Sequence, residues 1–298
     1  MINPRNLIIR QEINEMILTR KNWWEFAITF VAGCLVTLGI IGVLGINNST
    51  PNISSPIKGS NSKVFVNEKN LKEFKSIKIA APSNDINFVP SDCYGLEICE
   101  PNCVEEPKWS IENEQLEIQI HENNSSFRSS DSEKKYINIY YPKNSSFENI
   151  LVDISNGDIN IPGTKIKKLK INVISGDINA TVSNCNDISV YNKSGDINIK
   201  NNSEIPIIVD TKTTSGNIKI KTDSKTLSMV TAETTSGNIE IYCDGNISDY
   251  SYNASAISGS IIVNDKQFDK RAESFNPNIT NSIVAKAVCG NIRIDFKK

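Results

Sequence analysis

Between residues 150 and 296 one hydrophobic and polar pattern returns seven times. The segments read SNGDINI, ISGDINA, KSGDINI, TSGNIKI, TSGNIEI, ISGSIIV and VCGNIRI, centred on Gly157, Gly176, Gly195, Gly216, Gly237, Gly259 and Gly290. Successive glycines are 19, 19, 21, 21, 22 and 31 residues apart, the mark of stacked repeats with one late insertion. Two positions after each glycine stands an isoleucine: Ile159, Ile178, Ile197, Ile218, Ile239, Ile261 and Ile292. Four positions after it come Ile161, Ala180, Ile199, Ile220, Ile241, Val263 and Ile294. Seven before it come Ile150, Leu169, Ile188, Val209, Val230, Tyr252 and Ile283. Polar residues such as Asn160, Asn198, Lys219 and Glu240 alternate with them, which predicts strands with one face inward.

Each repeat therefore reads as two short strands joined by a tight turn. Glycine supplies positive φ there, and the following Asp or Asn suits the turn because its short side chain bonds the local backbone. One repeat cannot bury its isoleucines alone, so stacking is required. The predicted fold is mainly β, a repetitive, β-helix-like β-solenoid. An eighth, degenerate unit lies upstream in IKIAAPSNDINF, with Asn84 in the glycine position at an expected positive φ, Ile77 and Ile79 inward before the turn, and Ile86 and Phe88 inward after it. Between this unit and Gly157 the pattern predicts a cysteine-containing loop over 90–107, then strands in WSIENE, LEIQI and YINIYYP.

A different pattern occupies the N-terminus. From Phe26 to Ile46 the chain runs 21 residues without a charge, about 31 Å as a helix and enough to span a bilayer. Trp23 and Trp24 flank it as an aromatic belt would. Arg5, Arg10, Arg20 and Lys21 precede it, whereas only Lys58 and Lys63 follow within 20 residues, which sets the N-terminus in the cytoplasm and the bulk outside. A cleaved signal peptide, with Val43 and Gly45 before the cut, is the competing reading. The long leading region and the long apolar run favour an uncleaved anchor. The expected organisation is a short cytoplasmic segment (1–22), a single-pass transmembrane helix (23–46), a flexible stalk rich in Asn, Ser and Pro (47–62), and an extracytoplasmic β-repeat domain (63–298).

The run of IKI, SNDINF, LEIQI and YINIYYPK followed by serial SGDI and SGNI units resembles the bacterial DUF4097, or toast-rack, family from about Phe65 to Phe296. That resemblance implies a β-solenoid on the cell envelope with an adhesin-like, interaction or envelope-stress role, and it carries no catalytic residues over. The loop with Cys93, Cys99 and Cys103 and the long gap between Gly259 and Gly290 depart from the simplest pattern.

Composition narrows the chemistry. A formal net charge of -2 gives no electrostatic support for nucleic-acid binding, and His121, the single histidine, leaves little for a triad or a multi-histidine zinc site. Asp158, Asp177 and Asp196 would stack in a row, a candidate calcium ladder or acid cluster. The same column continues as Asn217, Asn238, Ser260 and Asn291, which keeps turn chemistry and loses charge, so the turn reading is favoured. Cys34 sits in the apolar run as a small residue. Of the outer cysteines, Cys93, Cys99 and Cys103 suit a local disulfide better than zinc, since C-x5-C-x3-C lacks a histidine and a second pair; Cys289 takes the place filled by Ser in most repeats and is expected as a small buried residue, and no pairing is assignable for Cys185, Cys243 or Cys289. Trp109, Tyr140, Tyr141, Tyr250 and Tyr252 would either stack sugars or, the favoured reading, cap the ends of the core. No catalytic, cofactor-binding or metal-binding residue is assigned. The expected function is a membrane-anchored, adhesin-like interaction or envelope-stress sensing module that engages an envelope protein or a cell-surface glycan and is not an enzyme. The alternatives are a polysaccharide-active β-helix enzyme and a structural spacer.

Overall fold

In the computed structural model, residues 63–101, 106–121, 134–202, 205, 207–222 and 227–297 are described, and the structural statements below concern these. The chain separates into two units, Met1–Gly59 and Ser60–Lys298. The expected cytoplasmic segment, membrane helix and stalk lie outside the described residues. Among the described ones no helix is long and apolar enough to cross a membrane.

The second unit is mainly β, with one short 3-10 turn at Ile247–Asp249. Its strands form two stacked ladders joined at the turns, one built from strands before each turn and the other from strands after it. In the first, Ile159–Ser175, Asp187–Ser194, Ile207–Ser215 and Leu227–Ser236 pair in parallel. In the second, Ile159–Ser175 leads to Ile178–Ser183, Ile197–Asn201, Ile218–Thr222 and Ile239–Asp244. The shared strand Ile159–Ser175 serves both because it turns the corner at Gly163, where φ is 68°.

Period-two alternation is realised as the pattern predicts. The isoleucines two positions after each glycine are all at most 1% exposed, and the rows four after and seven before are likewise buried, except that Tyr252 is only partly buried. Polar groups inside the turns are tied down: the Asn192 amide donates to the Gly176 carbonyl at 2.7 Å and Thr234 Oγ1 to that of Gly216 at 3.1 Å. Turn glycines have φ from 127° to 150°. They are excluded from carrying a side chain twice over, since a Cβ on Gly176 would lie 2.0 Å from the carbonyl oxygen of Gly157.

Two expectations fail at the N-terminal end. Asn84 occupies the glycine slot without positive φ; instead its side chain is buried and donates to Glu100 Oε2 at 2.8 Å, while Glu100 pairs with Lys135 at 2.6 Å. The 90–107 segment is not simply a loop. Gly95–Pro101 is a strand, antiparallel to both Lys63–Lys69 and Tyr136–Pro142, with Leu96 and Ile98 in the core. Its cysteine and proline flanks mask that alternation.

Order in space is not order in sequence. Registers and turn hydrogen bonds give the rung order Asn84, Gly157, Gly176, Gly195, Gly216, Gly237, Gly290, Gly259. The last strands, Ser282–Cys289 and Ile292–Lys297, are slotted between the Gly237 rung and the Gly259 rung. Order is also broken at the other end of the stack: Ser76–Ser83 and Asp85–Ser91 sit between the Gly157 rung and an outer rung made of the later strands Gln115–Gln119 and Tyr136–Pro142. Each end is then closed by antiparallel strands, Lys63–Lys69, Gly95–Pro101 and Lys108–Glu112 at one, Lys266–Phe268 and Arg271–Ser274 at the other. Short, charged edges of this kind resist pairing with other chains.

Candidate functional site

The turns bring Asp158, Asp177 and Asp196 into one exposed row, as the repeats require. Their bonding differs from the expected local turn. Oδ1 of Asp158 accepts the backbone N–H of Asp177 at 2.8 Å, and Oδ1 of Asp177 accepts that of Asp196 at 2.8 Å. The chain of bonds begins at Asp85, continues through Asn217, Asn238 and Asn291, and ends at the N–H of Ser260. Each side chain thus serves the next rung rather than its own turn. Among the described residues no group of three or more His, Cys, Asp or Glu is arranged to hold a metal ion.

Beside this ladder runs a second row, on the outward face of the strands after the turns. Strand registers align Glu97, Asn138, Asn87, Asn160, Asn179 and Asn198, and the row goes on through Lys219 and Glu240. Between the two rows lies a groove of about 420 Å³, lined in part by Asp177, Asp196, Asn179, Asn198, Lys219 and Glu240. Lys219 and Glu240 form an ion pair at 3.2 Å across adjacent rungs.

The N-terminal end of the row carries the most built polar cluster. Glu97 accepts from Tyr140 at 2.7 Å, from Tyr136 at 2.9 Å and from the Asn138 amide at 3.0 Å. The Tyr140 hydroxyl, helped by Asn138 and Tyr136, holds the Glu97 carboxyl below the usual carboxylate range against the opposing effect of burial. Burial and the bond to Glu97 push Tyr136 up to about 12. Sequence reasoning missed this cluster because Glu97 fell in the segment read as a loop. The Ile-Asn-Ile triplets that announce the row, at 137–139, 159–161 and 197–199, were visible.

The other candidates disperse. Tyr141 is buried with its hydroxyl on Thr164 at 2.7 Å, and Tyr250 is buried against Phe296 with ring centroids 4.9 Å apart. Trp109 packs partly buried against the core. These positions agree with core capping; no common sugar platform is formed. The expected local disulfide is not found between Cys93 and Cys99, and Cys103 lies outside the described residues. Cys185 and Cys243 are buried, and desolvation pushes both thiols up to about 12; Cys289, expected inside, is exposed instead, because it sits at the end of its strand beside the turn glycine Gly290. His121 is exposed.

A β-stack with serial glycine and Asx turns is the solenoid-like architecture that the resemblance noted above implies, and the family model Toastrack DUF4097 matches residues 74–295. The chain belongs to the Toastrack DUF4097 family. No curated protein matches it. Among solved structures, this DUF4097 chain is similar to a "putative adhesin" from Bacteroides fragilis, 16% identical with a TM-score of 0.45, covering 80% of this chain and 99% of that one. It is also similar to a "putative cell adhesion protein" from Clostridium sporogenes, 12% identical with a TM-score of 0.36, covering 79% and 99%. A third, a "putative lipid binding protein" from Parabacteroides distasonis, is 12% identical with a TM-score of 0.30, covering 81% and 98%. At such TM-scores these likenesses add nothing to the family assignment.

Proposed function

We propose that this DUF4097 chain is a membrane-anchored, adhesin-like binding module, with its β-stack outside the cell presenting a rigid polar face to an envelope protein or a cell-surface glycan. The observation that carries the reading is the groove along the stack, where successive rungs present similar polar side chains. A packed solenoid holds such groups at fixed spacing without ordering cost on binding, which suits an extended, repetitive partner. The uncharged run at 26–46 and the basic residues before it support the anchor and its orientation.

The test uses full-length protein on intact cells. External protease should remove a C-terminal tag and spare an N-terminal one, and wild-type cells should be retained on envelope or host-cell surfaces from which a strain lacking the protein washes off. Digestion of the N-terminal tag would reverse the topology. Product release from a glycan panel, lost on Asp177→Asn, would replace binding with turnover.

A further inference from the structure

We propose that the groove beside the turn ladder takes an uncharged, linear polysaccharide with equatorial linkages, lying along the stack with one sugar per rung. This rests on the binding-module reading and names its ligand class.

The asparagine row is the first reason. Asn138, Asn87, Asn160, Asn179 and Asn198 stand side by side on five adjacent strands, although asparagine is disfavoured in strands. A row that existed to hold the stack together would bond every amide to the next, as in amide ladders of stacked sheets. Here only two links form, Asn87 to Asn138 at 3.1 Å and Asn198 to Asn179 at 3.3 Å. The side chain of Asn160, one rung before the groove, is exposed and has no hydrogen-bond partner among the described residues. Donors and acceptors are therefore left over at regular intervals on a rigid surface.

Spacing selects the partner. Adjacent rungs are roughly 4.8 Å apart, so two rungs span close to the two-sugar repeat of an extended, equatorially linked pyranose chain, whose successive units turn alternate edges to the surface. An extended peptide presents same-side groups only every ~6.8 Å and falls out of register within two or three rungs. The amides of Asn179 and Asn198, which line the groove on its first two rungs, meet hydroxyl or acetamido groups, which both donate and accept.

Charge narrows the class further. Asp177 and Asp196 form one wall, each lending Oδ1 to a neighbouring backbone N–H, and Lys219 and Glu240 neutralise each other. The lining is therefore net negative, which disfavours uronates and phosphate-bearing chains. The groove spans the rungs of Gly176, Gly195, Gly216 and Gly237, room for about four sugars at one per rung.

The experiment is calorimetric titration of the full-length protein in detergent with cello- and chito-oligosaccharides of two to six sugars, and with a uronate oligomer of matched length. Affinity should rise with length and level off near four or five sugars, with the uronate weaker. Combining Asn160→Ala, Asn179→Ala and Asn198→Ala should weaken binding by about tenfold or more, roughly 1.4 kcal/mol, with an unchanged thermal melt. Thr214→Ala with Thr235→Ala, on the other ladder, should leave it unchanged. Undiminished binding by the triple variant, or tighter binding of the uronate, overturns the groove assignment. If neutral oligosaccharides fail to bind while cells are still retained on surfaces, the ligand class is wrong and the binding-module reading stands. If retention is lost as well, both fall.

Discussion

Asp158, Asp177 and Asp196 exchange with Asn217, Asn238 and Asn291 along the ladder because the stack takes one oxygen from each. Oδ1 accepts the next rung's N–H whether it belongs to a carboxylate or an amide. Ser260 stands at the end, where no further rung needs an acceptor, so the break in the column falls where it costs nothing. Asp177→Asn should therefore leave the thermal melt unchanged or slightly higher, since it removes a like charge roughly 5 Å from its neighbours. Asp177→Ala should cost about 0.5–1.5 kcal/mol through the lost bond to Asp196. Melts with calcium and with chelator check the competing metal reading, which a calcium-dependent rise in wild type, absent from the triple Asp→Asn variant, would restore. Glu97 makes a pH prediction of the same local kind. Its carboxyl is lowered in the folded state, so its contribution is present above the ordinary value near 4.3 and fades as pH falls through the folded value. Tyr136 is raised, so its contribution is present below about pH 10 and fades as pH rises towards about 12. Glu97→Gln should flatten the acid limb in denaturant titrations across pH; an unaltered limb would remove Glu97 from the account.

A strand of this stack is read correctly when its inward residues are apolar and its neighbours supply nothing unusual. Ile197–Asn201 is such a strand: Ile197 is buried and Asn198 exposed, as the alternation predicts. Ile197→Ala should cost about 2–5 kcal/mol and Asn198→Ala no more than about 0.5 kcal/mol, and equal shifts in urea midpoints would refute the inward assignment. Gly95–Pro101 was illegible for the opposite reason. Its inward Leu96 and Ile98 are too few to stand out from cysteines, prolines and a buried Glu100, whose burial depends on Lys135 and Asn84 arriving from elsewhere. Asn84 avoids positive φ for a related reason, because its environment is set by that partner and not by glycine neighbours on both sides.

Slotting the last strands one rung inward changes how the β-stack holds together. In a solenoid that stacks in sequence order, the terminal rung peels away alone. Here removal of the last strands opens a slot and strands the Gly259 rung, which reaches the body through Ser282–Cys289 and Ile292–Lys297. Phe296 also packs against Tyr250 and Tyr252 of that outer segment. Truncation after Phe275 should therefore make residues 251–274 protease-sensitive and lower the denaturant midpoint, while the Gly176 to Gly216 rungs remain protected. Continued protection of 251–274 would show that the Gly259 rung can dock directly on the Gly237 rung.

The sequence alone determined the strands of the repeats, the buried isoleucine rows, the turn glycines and the alternating polar positions, because these follow from a side-chain period of two and from backbone freedom at single residues. It also carried the family resemblance. Tertiary structure decided which rung neighbours which, since the rungs are nearly identical in local pattern and loop closure favours one neighbour over another only weakly with length. It likewise decided that the Asx side chains bond across rungs, and that Glu97 meets two tyrosines, because those contacts join residues whose proximity exists only once the ladders are stacked.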